Sequence, residues 1–235
     1  MIIISNSTIP DEALKKLDQI GDVIPFITRG ITYPAISGHP DVFFCHVDEL
    51  LVSAPNIPAD IKKKLVKGKI NFIEGSSAVG SKYPETAKYN AVVTDRYLIH
   101  NLQVTDSRIK ELCSNRISIH VNQAYTRCNL LPLNNDRFIT SDLGIYNTLI
   151  NNKLTALYID PKQIKLPDFS NGFFGGACGV YKNKIYIIGS LVEMKEKNQI
   201  IDFLSDTNYN ILELYKGPLY DGGSLIFIDS TAKNC

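Results

Sequence analysis

Four short segments of the 235-residue chain can be laid over one another: Cys45–Ser53, Val93–His100, Leu133–Thr140 and Tyr181–Ile188. Each carries Asp or Asn at a turn (Asp48, Asp95, Asn135, Asn183), and a bulky apolar pair follows at a matching offset. Asp and Asn suit hairpin turns because they tolerate left-handed backbone angles and hydrogen-bond locally. The turn residues recur at intervals of 47, 40 and 48 residues, within the range that marks repeat architectures.

Behind each hairpin lies a helix signal and then another strand. Thr105 offers an N-cap to a helix running through Leu112, and 58–66, 141–150 and 195–204 fill the same slot. Third strands are expected at 70–73, 117–121, 154–159 and 210–214. A fifth unit is split across the termini. Residues 223–229 give its first strand, with Asp229 lying 46 residues past Asn183; 2–5, a helix at 11–17 and a strand at 22–27 supply the rest. Pairing the last strand with the first would close a ring and remove an exposed sheet edge. The expected fold is therefore α/β: a five-fold pseudo-symmetric α/β propeller of ββαβ units in one domain over 1–235. The units are 223–235 plus 1–37, 38–80, 81–122, 123–165 and 166–222. An open α/β sheet with coincidental spacing is the alternative.

Composition narrows the function classes. With 25 basic and 24 acidic side chains the formal charge is +1, and the one basic run, Lys62–Lys64, falls on a helix as a solvated face. No nucleic-acid partner is expected. No apolar run approaches the roughly 20 residues of a membrane-spanning helix, and Met1–Ile4 lacks a charged leader. The five cysteines are odd in number, scattered and free of any CxxC pair, which fits reduced thiols in a cytoplasm. His100 and His120 have no ligand-type neighbours in sequence, so neither a metal nor a cofactor is expected. The sequence leaves the oligomeric state open.

In a ring of such units, residues at or just before each first strand converge on one mouth. Those positions hold His39 and Asp41, then Glu85, Tyr89 and Asn90, then Arg127, Cys128 and Asn129, then Gly175, Gly176 and Cys178, and finally Asp221. Each has a bland role too: turns for the glycines, core packing for the thiols, an ion pair for Arg127, a brace for Asp41. His46 and Asp48 read as structural, because Asp48 aligns with the hairpin turns, away from the mouth or at its far rim.

The five units and split terminal unit resemble the pentein fold of guanidino-group-modifying enzymes. The chain is also similar to an uncharacterised family of bacterial pentein-like proteins, through Ser81-Lys82-Tyr83-Pro84, Thr126-Arg127-Cys128-Asn129 and Gly175-Gly176. Catalytic penteins use a cysteine nucleophile, a histidine for proton transfer and carboxylates that clamp the guanidinium. Pro40-Asp41-Val42-Phe43 resembles the segment whose aspartate binds substrate, so the resemblance carries Asp41 over. Asp221–Ile226 resembles the glycine-rich strand ending in the nucleophile, but Ile226 stands in the cysteine's place. The histidine slot falls near Arg127-Cys128 and an acidic slot near Ala87, so three of the four expected groups are missing in register.

The resemblance implies a small polar ligand, guanidino or amino-acid-like, with no membrane or nucleic-acid partner. Asp41, Asp221 and Glu85 would clamp its cation and Arg127 its carboxylate, with Tyr89, Asn90 and Asn129 beside them. If the protein is an enzyme, it is expected to act on a C–N bond of a guanidino compound through a relocated thiol. Cys178 would serve, its pKa lowered by Arg127 with His39 as acid/base, or Cys128 in its stead; Cys235 is nine residues past the nucleophile's position. The alternative is a catalytically silent interaction module like the superfamily's ribosome anti-association member.

Overall fold

The computed structural model describes residues 1–134 and 136–229, so Asn135 and Cys235 lie outside the described residues. The chain starts with β1 (Ile2–Asn6), α1 (Asp11–Asp18) and β2 (Asp22–Phe26). Next come α2 (Pro40–Phe43), β3 (Phe44–Val47), β4 (Leu50–Ser53), α3 (Ala59–Lys67) and β5 (Phe72–Glu74). The third stretch holds β6 (Val92–Val93), β7 (Tyr97–His100), α4 (Ser107–Leu112) and β8 (Ile117–His120). The fourth holds α5 (Thr126–Asn129), β9 (Leu130–Leu133), β10 (Arg137–Thr140), α6 (Leu143–Asn151) and β11 (Thr155–Tyr158). The last holds β12 (Cys178–Tyr181), β13 (Lys184–Ile187), α7 (Lys197–Leu204), β14 (Asn210–Glu213) and β15 (Ile226–Ile228).

These strands form five three-stranded sheets. In four of them the hairpin's second strand is central, antiparallel to the first strand and parallel to the third. The remaining sheet joins the chain ends: β15 runs antiparallel to β1 with Ile2 opposite Ile228, and β2 lies parallel on the other side. The five longer helices share one burial rule, an apolar pair four residues apart, which puts both side chains on one face. The pairs are Ala13/Leu17, Ile61/Leu65, Ile109/Cys113, Ile145/Leu149 and Ile200/Leu204, all buried. Each large aliphatic member contributes about 1.5–3 kcal/mol by leaving water.

Two local expectations need correcting. The left-handed residues of the hairpins are Asp48, Asp136 and Lys182, with φ of 54°, 55° and 54°. In the fourth hairpin Tyr181 pairs with Lys184, and of the two loop residues between them it is Lys182, not Asn183, that has the positive φ. The N-cap of α4 is Asp106, whose carboxylate accepts from the Arg108 amide and from the Ser76 and Ser77 amides. Thr105 is occupied with Asn101 and His100 instead. The short helices α2 and α5, and a 3-10 turn at Gly175–Ala177, also have no periodicity to announce them. Each turns the chain directly into a first strand. Among the described residues, no helix is long and apolar enough to cross a membrane.

His100, fully buried on β7, sits between the Thr105 hydroxyl and the Ala124 carbonyl. Burial pushes its pKa from the ordinary 6.5 down to about 4, so the ring is neutral at neutral pH. The unfolded chain takes up this proton at higher pH than the folded one. The stabilisation is therefore complete above pH 6.5 and is lost as the pH falls toward 4, by at most about 3 kcal/mol. Thermal melts should show Tm falling between pH 7 and 4.5, with a flatter slope in His100→Gln. A wild-type Tm that is level across that window would contradict neutral burial.

Candidate functional site

The first strand of every sheet contributes to the wall of one cavity of about 860 Å³. Cys45 and His46 come from β3, Val92 from β6, Pro132 from β9, Val180 from β12 and Ile226 from β15. Turn residues Asp48, Asp95, Arg96 and Asp136 stand at one end, and Asp41, Arg127 and Ser224 form the floor at the other. His46 and Asp48, read from the sequence as structural with Asp48 away from the mouth or at its far rim, both line this cavity, Asp48 at the turn end. The hairpins lie along it rather than beyond it.

Arg127 is the cation of the floor. α5 aims its guanidinium so that Nη1 donates to the Gly175 carbonyl at 2.9 Å and Nη2 to the Cys178 carbonyl at 3.3 Å. Among the described residues no carboxylate lies within ion-pair distance of it. Burial lowers its pKa, while the charge of nearby Asp41 acts in the opposite sense. His46 Nε2 is buried with no partner among the described residues. Burial, and secondarily the charge of Arg127, hold its pKa near 4, so it meets the cavity as a neutral imidazole.

Behind the floor lies a buried polar knot centred on Asp41. The Asp41 amide donates to the Gly223 carbonyl, and its own carbonyl accepts from Asn90 Nδ2. Its Oδ2 accepts from Ser224 Oγ at 2.6 Å and from Cys128 Sγ at 3.1 Å, while Oδ1 is buried with no partner among the described residues. Asn90 braces Cys128 in both directions, accepting from its amide and donating to its sulfur. His39 is buried, neither ring nitrogen has a hydrogen-bond partner among the described residues, and its Nδ1 stands 3.9 Å from Asp221 Oδ1. Asp221 accepts from the Gly223 and Phe173 amides. Burial raises its pKa to about 6, with His39 opposing and Asp41 adding to the shift.

Two glycines make this density possible. Gly223 has φ of 75°, and a Cβ there would lie 2.2 Å from His39 Cβ. A Cβ on Gly176 would lie 2.0 Å from Asp221 Oδ1. Glycine alone lets the backbone approach both side chains so closely.

A family model covers residues 3–226. The chain belongs to a family of unknown function, DUF6873. By sequence, no curated protein matches it. Its fold is the one seen in solved amidinotransferases and in an agmatine deiminase. SxtG, an amidinotransferase of the saxitoxin pathway from Microseira wollei, superposes with a TM-score of 0.54 at 11% identity, over 99% of this chain and 95% of that one. The inosamine-phosphate amidinotransferase StrB1 from Streptomyces griseus gives 0.53 at 9% identity, over 98% and 94%. Agmatine deiminase from C. jejuni gives 0.52 at 10% identity, over 91% and 74%.

The sequence-predicted site residues divide within this family's fold. His39, Asp41, Asn90, Cys128 and Asp221 meet in the knot, and Arg127 lies beside it. Glu85 is exposed, its side chain lying against Gly80. Tyr89 turns its hydroxyl to the Ser77 carbonyl and Asp106. Asn129 bonds the Tyr125 carbonyl and the Ser141 hydroxyl. Ser224 was missed; its only signal was its place after two glycines at a strand start.

Cys178 is buried among apolar side chains, and burial pushes its thiol up despite the opposing charge of Arg127. Cys128 is pushed up by burial and then by the charge of Asp41. Neither thiol is poised as a thiolate. Both should resist iodoacetamide at pH 7.5 in the native protein and react on unfolding, read by intact mass after tryptic assignment. Rapid native labelling of either would contradict this burial. Gly223→Ala should cost about 2 kcal/mol or more, from strained backbone and overpacking on His39. Chemical denaturation would measure it, and a wild-type midpoint would contradict the close approach.

Proposed function

We propose that the protein binds a small amino-acid-like compound in the central cavity, its carboxylate held by Arg127. The unpaired, half-buried guanidinium at the cavity floor carries this reading. Such a group is costly to bury and is satisfied best by a bidentate anion. The neutral His46 ring beside it adds a hydrogen-bonding group. A basic end, guanidino or amino, then points along the strands toward the turn carboxylates. There Asp95 is exposed, whereas Asp48 and Asp136 pair with Arg116 and Arg96. The cavity volume suits a ligand of this size.

The reading takes the five units as one propeller domain closed at the β15–β1 pairing, with first strands around a common axis. Their joint lining of one cavity supports that arrangement. It moves the acidic clamp away from Glu85 and Asp221, whose carboxylates are exposed elsewhere or already hydrogen-bonded. A second reading, a diverged amidinohydrolase or amidinotransferase, draws on the thiol, imidazole and carboxylate gathered at Cys128, His39 and Asp41. It requires Cys128 to lose its proton, which burial and Asp41 oppose. Binding without thiolate chemistry is the better fit.

Calorimetry with arginine, ornithine, citrulline and agmatine tests the reading, with ureido-product assays on the same samples. Arginine should bind at least tenfold more tightly than agmatine, which lacks the carboxylate, and Arg127→Gln should erase that difference. Equal affinity for arginine and agmatine would sink the role of Arg127. No binding by any compound would leave the interaction-module reading in its place. Product formation lost in Cys128→Ser would favour the enzyme.

A further inference from the structure

We propose that His39, Asp41 and Cys128 form a buried site for a divalent transition metal of the zinc class. Each offers one ligand atom, and the three atoms lie within 4.8 Å of one another. The side chains come from two segments far apart in sequence, the His39–Asp41 turn and α5, and are 1%, 1% and 3% exposed. Both His39 nitrogens and Asp41 Oδ1 are buried with no hydrogen-bond partner among the described residues. Buried polar atoms are nearly always satisfied. Three such atoms in one small volume, next to a thiol, mark a place where something other than protein completes the coordination.

The donor set selects the ion. Imidazole nitrogen, carboxylate oxygen and thiol sulfur together are zinc-type ligands, while magnesium and calcium take oxygen alone. Ligand atoms of a tetrahedral zinc site stand roughly 3.5 Å apart, so a small inward movement of these side chains completes it. Three protein ligands leave a fourth position open. Asp221, 3.9 Å from His39 Nδ1 and held by two backbone amides, is the positioning residue for the imidazole. Binding forms a metal–sulfur bond and releases the Cys128 thiol proton to solvent, one proton for each ion. Asp41 lines the floor of the cavity, which gives the ion a way in. The inference does not depend on the amino-acid ligand.

The test uses the full chain with Cys235→Ser, refolded or purified with zinc, then exhaustively dialysed and analysed for metal by mass spectrometry. About one zinc per chain should remain, and His39→Gln and Cys128→Ser should each lower retention at least tenfold. Cys178→Ser should retain it. Asp221→Asn should weaken zinc affinity roughly 10–100-fold without abolishing it. Cobalt(II) should give a thiolate charge-transfer band in the parent protein, which decides the matter even where a ligand variant fails to fold. No retained metal, retention unchanged in Cys128→Ser, or cobalt bound without that band would overturn the site. Equal tightness for magnesium would overturn it as well.

Discussion

A single buried carboxylate ties distant parts of this chain together. Asp41 receives Ser224 and Cys128 on one oxygen, its amide bonds Gly223 and its carbonyl takes Asn90. Those partners come from three other stretches of the repeat, as far as 183 residues away. A charge removed from water is tolerated only when hydrogen-bonded, so each of these segments is fixed by the need to satisfy it. The floor of the cavity, including the setting of Arg127, depends on this knot being made.

The knot also shows what the fold does with repetition. All five sheets bring a short helix, a 3-10 turn or a loop to the start of a first strand, and the strand then runs along the cavity. The repeated elements are generic: apolar helix pairs and short strands that bury surface. The segments entering those strands are not generic. They carry an imidazole, a carboxylate, a thiol, an amide and a guanidinium, brought to one place by near-symmetry. Glycine at 176 and 223 removes the bulk that would hold these segments apart.

Electrostatics separates two kinds of chemistry at this centre. Burial and neighbouring carboxylates keep Cys128 protonated, and burial does the same to Cys178 despite the charge of Arg127. Arg127 instead donates to two carbonyls, and among the described residues no carboxylate lies within ion-pair distance of it. These directions support the proposed reading, recognition of charge, over attack on carbon. The chain shares its fold with solved amidinotransferases to which it is only about a tenth identical, and likeness at that level speaks for the fold alone.

Much of the architecture was legible in the sequence because local forces write it there. Turn residues, helix-periodic apolar pairs and the 40–48-residue spacing specify strand, strand, helix, strand without reference to distant contacts. The split last unit was legible for the same reason. Several candidate residues were legible too, since His39, Asp41, Asn90, Cys128 and Asp221 stand at equivalent places in the repeat. What only the tertiary structure decided was direction and partnership. Glu85, Tyr89 and Asn129 share those sequence positions, yet their side chains turn to other partners. His46 was dismissed by its register and faces the cavity, because register along a strand does not say which end of a cavity is open. The unpartnered nitrogens of His39 and the protonated thiols follow from burial among groups from remote segments, a sum of contacts that no local pattern encodes.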